Sequence, residues 1–210
     1  MALASAPAIQ AGGSREGVPT AIRHRPMRPK DVPGCVDTIA AHPTVGPRYG
    51  SSITDLRRAW LSLLGRDAFN AVVLEELAGS SVRTLTASVT VFVSDDFVRQ
   101  VKAPPLFWIG PELARRVARG DSPVLSDKKV QEANSDAGLN LVVWNISMLP
   151  EQARQPDLTA EGMKAFFTLH RGFLLKELIV QPETAEHLLG LRNSGGLLLV
   201  LSCTDKRYMV

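Results

Sequence analysis

The sequence predicts a mixed α/β (α+β) domain, built on a mostly antiparallel sheet that is flanked by helices. The strongest observation is the segment Val82–Val93, in which apolar and polar residues alternate as they do in a half-buried strand. The apolar segment Phe69–Leu77 precedes it, and the short turn Gly79-Ser80-Ser81 joins the two into an antiparallel hairpin. Two amphipathic helical patterns come before the hairpin, and strands alternate with helices after residue 138.

The size and composition of the chain fit one folded domain. It has 210 residues, of which 45% are hydrophobic and 21% are charged, so it can bury a core and is not disordered throughout. Residues 1–20 are rich in Ala, Gly, Ser and Pro and are expected to form a disordered tail. This leaves residues 21–210 as a single domain.

The formal net charge is +3, but the positive charge is concentrated near the N-terminus. Residues 1–30 contain one acidic residue, Glu16, and these basic residues: Arg15, Arg23, Arg25, Arg28 and Lys30. The remainder is close to neutral, and no basic recognition helix follows the helical segment Glu183–Leu191. The sequence therefore does not favour nucleic acid as a partner.

Several other classes of protein are excluded by simple features. No apolar run is long enough to span a bilayer, so we expect no membrane partner. Cys35 and Cys203 stand alone, which fits a reducing compartment, and the N-terminus does not read as a secretory signal, so a cytoplasmic location is predicted. The histidines show no metal-ligand spacing, and no metal site is predicted.

Before the hairpin the sequence predicts one strand and two helices. The strand is Ala21–Arg28. Asp31 is a suitable N-cap for the first helix, because its carboxylate can accept backbone N–H groups that have no partner within the helix. Thr44–Gly50 is predicted to be a loop, and Ser52 is predicted to cap the second helix together with Asp55.

An insert of residues 97–138 separates the hairpin from the predicted fourth strand. It should contain two short helices, Glu112–Arg119 and Asp127–Asn134, the second of them capped by Ser126. The fourth strand, Leu139–Ile146, is apolar enough to be central in the sheet. The elements after it are, in order, a helix from Asp157 or Thr159 to Gly172, a strand Phe173–Val180, a helix Pro182–Leu191 and a strand Leu197–Ser202.

The junction between the first strand and the first helix carries the sequence His-Arg-Pro-Met-Arg-Pro-Lys-Asp-Val-Pro over His24–Pro33. An Arg-Pro at a strand end, followed by an Asp-Val-Pro step into a helix, resembles the opening of the GNAT (Gcn5-related N-acetyltransferase) superfamily. The order of elements over residues 22–202 is also similar to the GNAT fold. This resemblance implies an N-acyltransferase that moves an acetyl or acyl group from acetyl-CoA or another acyl-CoA to a small-molecule or peptide amine. A homodimer is kept as a further hypothesis about partners.

The resemblance places the coenzyme A pyrophosphate beside Ser147–Gly162, where the candidate cofactor-binding residues are Met148, Arg154, Thr159 and Gly162. The family motif there is Arg/Gln-x-x-Gly-x-Gly/Ala, whose backbone N–H groups hold the anion at a helix N-terminus. This segment lacks the glycines at that spacing, and Asp157 and Glu161 near the helix start oppose an anion. The alternative hypothesis is therefore a catalytically inactive GNAT-fold module for ligand sensing or protein interaction, possessing a pocket closed by the insert or by residues 148–162.

Two residues are candidates for acyl-transfer chemistry. Glu75, near the end of the second strand, could accept the amine proton as a general base, or it could belong to a solvated hairpin end. Tyr49 lies in the loop before the second helix, a region that in the family shapes acceptor binding, or it is a loop tyrosine that packs on the surface.

Aromatic side chains give a third group of candidates. Phe107, Trp108 and Trp144 could line a ligand pocket, although an aromatic residue in an apolar strand is more often part of the core. His170 lies on the apolar face of its predicted helix, where a hydrogen-bonded core histidine is more common than a catalytic one.

Overall fold

A computed structural model describes residues 20–104, 107–146, 156–181 and 199–202. For Thr20, Pro156, Thr159 and residues 199–202 the backbone alone is described. Three predicted features lie outside the described residues: the tail over residues 1–19, the segment 147–155, and the helix Pro182–Leu191.

The described strands form one sheet whose spatial order follows the chain, from β1 at one edge to β6 at the other. Neighbouring strands are antiparallel except β4 and β5, which are parallel. The strands are β1 (Thr20–Pro26), β2 (Phe69–Ala78), β3 (Ser81–Val93), β4 (Leu139–Asn145), β5 (Leu175–Val180) and β6 (Leu199–Ser202). The predicted fold class is confirmed: a mixed, mostly antiparallel sheet is flanked by helices, with an insert before the fourth strand.

The helices are α1 (Val32–Ala41), α2 (Gly46–Tyr49), α3 (Ile53–Leu63), α4 (Asp95–Lys102), α5 (Ile109–Ala118), α6 (Asp127–Ser135) and α7 (Pro156–His170). Two of them correct the sequence prediction. The predicted loop Thr44–Gly50 contains α2, and α4 at the start of the insert was not predicted. The N-terminus of α4 is capped by Ser94, whose hydroxyl accepts the Phe97 N–H at 3.2 Å.

Two predicted caps are also wrong in their details. Neither Asp31 nor Ser52 makes a side-chain capping bond to the helix that follows it. The Asp31 carboxylate instead accepts the backbone N–H of Arg28 at 2.8 Å and the guanidinium of Arg25. Both carboxylate oxygens of Asp31 are thus already engaged before the first turn of α1.

The helices cover both faces of the sheet. Successive side chains of a strand point to opposite faces, and β2 shows this directly. Val73 belongs to the main core with α1, α3 and α5, whereas Val72 and Leu74 pack with Leu158 and Ala165 of α7. The main core therefore lies on the side of α3 and α5, and α7 covers β1 and β2 on the other side.

Candidate functional site

The pairing of the parallel strands β4 and β5 ends before β4 does. Their last pair is Val142 with Ile179, although β4 continues to Asn145 and β5 to Val180. On its other side β4 carries a bulge, because Val143 pairs with Thr90 and Asn145 with Val89, which leaves Trp144 as the additional residue. A bulge bends its strand and increases the local twist, and here it lies at the end of β4 where the pairing with β5 has stopped. We call this unpaired end of the two strands the opening between β4 and β5.

The insert covers this opening on the side of α3 and α5. Gln181 directly follows β5; its side-chain oxygen accepts the Ile109 N–H at 2.8 Å, and its amide nitrogen donates to the Phe107 carbonyl at 3.0 Å. From the opposite strand, the indole N–H of Trp144 donates to the Gly110 carbonyl at 3.2 Å. The segment Phe107–Gly110 thus connects the two strands at the level where their backbone pairing has stopped.

Two residues of α2 contact the segment Phe107–Gly110. The guanidinium carbon of Arg48 lies 3.8 Å from the centre of a Trp108 ring, which is a cation–π contact. Tyr49 is 4% exposed, and a Cβ added to Gly110 would lie 2.3 Å from its hydroxyl oxygen. The backbone of Gly110 therefore approaches Tyr49 more closely than a side chain would allow. Tyr49 is a buried residue beside the opening, and the predicted surface packing is wrong.

The indole of Trp144 also anchors the segment to the main core. It packs edge-on against Trp60 and Phe69, with ring centres 6.3 and 6.1 Å apart. The core placement of Trp144 is confirmed, and its N–H faces the insert; that it lines a ligand pocket stays a prediction. Gln181 was not singled out in the sequence, and a lone glutamine between a strand and a proline carries no signal that could have identified it.

Glu75 lies away from this opening, in a buried ion-pair cluster on β1 and β2. Its residue exposure is 3%, so the predicted solvated alternative is wrong. Arg25 Nε donates to one of its oxygens at 2.8 Å and Arg23 Nε to the other at 3.0 Å. Burial acts to raise the pKa of Glu75, but the hydrogen bonds from the two arginines outweigh it and the pKa is lowered. A carboxylate held in this way is a weak general base.

The candidate cofactor-binding residues are described only in part. Met148 and Arg154 lie outside the described residues, and of Thr159 only the backbone is described, within α7. Gly162 lies in the middle of α7, where an added Cβ would meet the Leu74 side chain of β2 at 3.7 Å. Gly162 therefore faces the sheet rather than a phosphate loop.

One of the two acidic residues expected to oppose an anion is engaged in contacts within the protein. The Glu161 carboxylate lies 2.5 Å from His24 Nδ1 on β1 and 3.6 Å from Lys164. Burial favours a higher pKa for Glu161, but the bond from His24 and the charge of Lys164 lower it. The carboxylate of Glu161 serves to attach α7 to β1.

His170 is a core residue, as predicted. It is 3% exposed, its Nδ1 lies 2.7 Å from the Phe166 carbonyl and its Nε2 lies 2.8 Å from the Thr90 hydroxyl. A carbonyl can only accept, so Nδ1 carries the hydrogen and Nε2 accepts from Thr90. Burial lowers the pKa of His170, and the bond to Phe166 offsets this only in part.

Three further findings bear on the site. Among the described residues no group of His, Cys, Asp and Glu side chains could hold a metal ion. No helix within the described ranges has the length and apolar character needed to cross a bilayer. Comparison of the chain with family models, with curated proteins and with solved structures finds no match.

Proposed function

We propose that this chain is a GNAT-like domain that works as a ligand-sensing or protein-interaction module, in which the insert covers the opening between β4 and β5. The observation that carries this proposal is the bridge made by Gln181 and Trp144 to the segment Phe107–Gly110. In the GNAT resemblance, the cleft between the fourth and fifth strands would receive the acyl-CoA. In this chain the backbone of the segment Phe107–Gly110 lies across the corresponding position between β4 and β5.

The state of the candidate base supports the same proposal. Both oxygens of Glu75 accept from guanidinium groups, and its lowered pKa makes it a poor acceptor for an amine proton. Moving Glu75 toward a substrate would break its bonds to both arginines, one of which, Arg25, also holds Asp31. The cluster therefore acts to fix β1 against β2.

The second candidate function is an acyl-CoA-dependent N-acyltransferase that acts on a small-molecule or peptide amine. The bulge at Trp144 and the early end of the β4–β5 pairing favour it, because they leave backbone groups of the strands unpaired and able to position a thioester. Tyr49 lies beside this opening and is the available candidate there for protonating a leaving thiolate. In this alternative, Phe107–Gly110 leaves the opening when acyl-CoA binds. For either function we propose a cytoplasmic location, in keeping with the buried free thiol of Cys35.

Titration of the full chain with acetyl-CoA, together with an assay of coenzyme A release in the presence of amines, separates the two functions. If the chain is a ligand-sensing or protein-interaction module, we expect no amine-dependent release of coenzyme A and only weak binding of acetyl-CoA. The variant Gln181→Ala removes two of the three bridging bonds, so we expect it to bind acetyl-CoA about tenfold more tightly than the unaltered chain. Gln100→Ala, which removes an exposed glutamine bonded to Arg116, is the matched control and should leave binding unchanged.

Amine-dependent release of coenzyme A by the unaltered chain would contradict the module. If Tyr49→Phe then slowed that release while acetyl-CoA binding was retained, the N-acyltransferase would be the correct function, with Tyr49 as its acid.

A further inference from the structure

A cavity lies beside the N-terminal ends of β4 and β5, away from the opening between these strands. It has a volume of about 470 Å³, within the range of small-molecule sites. Its walls come from the turn between α3 and β2, from α6, and from the loop between α7 and β5. The charged and polar residues are Arg66, Asp67, Asn70 and Gln131, and the apolar ones include Val130 and Phe173.

The walls of this cavity are connected to one another by hydrogen bonds. The Asp67 N–H donates to the Asp127 carboxylate at 3.0 Å, which joins the α3–β2 turn to α6. Asn134 of α6 donates to the Gly172 carbonyl at 3.3 Å and accepts the Leu174 N–H at 2.6 Å, which joins α6 to the loop before β5. The cavity is therefore bounded by three segments that hold each other in place.

Two charged groups and one buried amide line this cavity. Arg66 and Asp67 carry opposite charges, and neither forms an ion pair with any of the described residues; the Asp67 carboxylate accepts one hydrogen bond there, from Gln131 Nε2 at 3.4 Å. The Nδ2 atom of Asn70 is buried, and within the described ranges it has no hydrogen-bond partner. A buried amide donor without a partner costs free energy, so a bound group that accepts its hydrogen would be stabilised there.

The two charges restrict the chemistry of a ligand. A phosphate or other dianion would be attracted by Arg66 but repelled by Asp67. A simple amine, which is positively charged, would be attracted by Asp67 but repelled by Arg66. A zwitterion can pair its carboxylate with Arg66 and the Asn70 amide, and its ammonium with Asp67. Phe173 and Val130 supply an apolar surface for a side chain of the ligand, and Phe173 is itself fixed against Phe92 with ring centres 4.8 Å apart.

We propose that this cavity binds a free α-amino acid with an apolar side chain. Its carboxylate pairs with Arg66 and Asn70, its ammonium with Asp67, and its side chain packs on Phe173. This proposal is independent of acyl-CoA binding, because the cavity shares none of the residues that bridge β4 and β5.

Calorimetric titration of the full chain tests the proposal with L-phenylalanine, L-leucine and L-methionine. The matched probes are 3-phenylpropanoate, which lacks the ammonium, and 2-phenylethylamine, which lacks the carboxylate. We expect at least one of the three amino acids to bind at millimolar concentration or below, and for phenylalanine each probe should bind at least about tenfold more weakly. Absence of binding by all three amino acids at about 10 mM would overturn the proposal, as would equal binding of the probes.

Variants locate the site. Arg66→Gln and Asp67→Asn change exposed side chains that lack ion pairs among the described residues, so the fold should be retained, and each should weaken amino-acid binding by about tenfold. Arg58→Gln alters another exposed arginine, on α3, and is the control that should bind like the unaltered chain. If Arg66→Gln and Asp67→Asn bind as tightly as this control, the cavity is not the binding site and the proposal is wrong.

Discussion

The guanidinium of Arg25 holds the carboxylate of Asp31 with two parallel hydrogen bonds, of 2.6 and 3.0 Å. Arg25 stands near the end of β1 and Asp31 at the start of α1, so the pair fixes the angle at which the chain leaves the sheet. The same guanidinium also contacts Glu75, and Arg23 completes the cluster. In this chain, the motif that resembles the GNAT opening thus has a structural role at the joint, by which we mean the connection between β1 and α1.

Asp31→Asn is expected to destabilise the domain by about 2 kcal/mol, because it removes charge-assisted bonds and leaves the partly buried Arg25 guanidinium with fewer partners. Urea unfolding at neutral pH measures the change. Asp37→Asn is the control, since Asp37 pairs with Arg57 in an exposed setting where the loss should be below about 1 kcal/mol. Equal losses in the two variants would show that the Arg25–Asp31 pair does not stabilise the joint.

Stability should fall in acid because of this cluster. The Arg25 bond lowers the pKa of Asp31, and the two arginines lower that of Glu75 against the effect of burial. The unfolded chain therefore takes up protons first, at about pH 4, so the stabilisation is complete above that value and is lost as the pH falls through the folded pKa values. Glu75→Gln should be less stable at pH 7 and should lose less stability between about pH 5 and 3. If the stability of Glu75→Gln fell with pH in parallel with that of the unaltered chain over this range, Glu75 would not be a source of the acid sensitivity.

His170 should contribute a second pH dependence, at higher pH. Its pKa is lowered by burial, so on acidification below about pH 6.5 the unfolded chain binds a proton that the folded chain does not. Stability should therefore decline from about pH 6.5 down to the folded pKa and should be independent of this group above pH 6.5. Unfolding by urea at several pH values should show that decline in the unaltered chain, and His170→Gln should remove it. Replacing His24 instead leaves the buried imidazole of His170 in place, so the decline in stability should be preserved.

Gly110→Ala is expected to cost about 1–3 kcal/mol, because the new methyl group would lie 2.3 Å from the Tyr49 hydroxyl oxygen and the buried ring would have to move. Gly34→Ala is the control: nothing lies within 4 Å of an added Cβ there, and alanine in a helix should be neutral or stabilise by up to about 1 kcal/mol. Thermal unfolding compares the two. Adding Tyr49→Phe to Gly110→Ala should recover part of the loss, and strictly additive effects of the two changes would rule out the contact.

The elements that local sequence predicted well are those in which pattern and capping agree. The β2–β3 hairpin combines alternation with a two-residue turn at which Gly79 has a φ of 60°. In α6 the predicted cap is present, since the Ser126 hydroxyl accepts the Lys129 N–H at 3.4 Å. A similar capping signal precedes α4, where Ser94 is followed by Asp95 and Asp96, but Pro104 and Pro105 shortly after it favour irregular structure over a helix.

The contacts of the Glu75 ion-pair cluster and of the bridge between β4 and β5 could not be predicted from local sequence patterns. Glu75 meets Arg23 and Arg25 only because β1 and β2 are paired across about fifty residues of chain. The bridge from Gln181 to Ile109 spans 72 positions and uses a backbone N–H, for which no side-chain motif exists. Periodicity reports which face of an element is buried, and it carries no information about which distant backbone atom lies opposite.

The charged character of β1 has a consequence for self-association. In the described part of the chain β1 forms one edge of the sheet; it carries Arg23 and Arg25 and ends at Pro26. A second copy docking along this edge would bring arginines of both copies close together, and the proline would offer no N–H to the new ladder. This strand therefore disfavours continuous sheet formation between copies. We expect any homodimer of this chain to use a surface other than this edge.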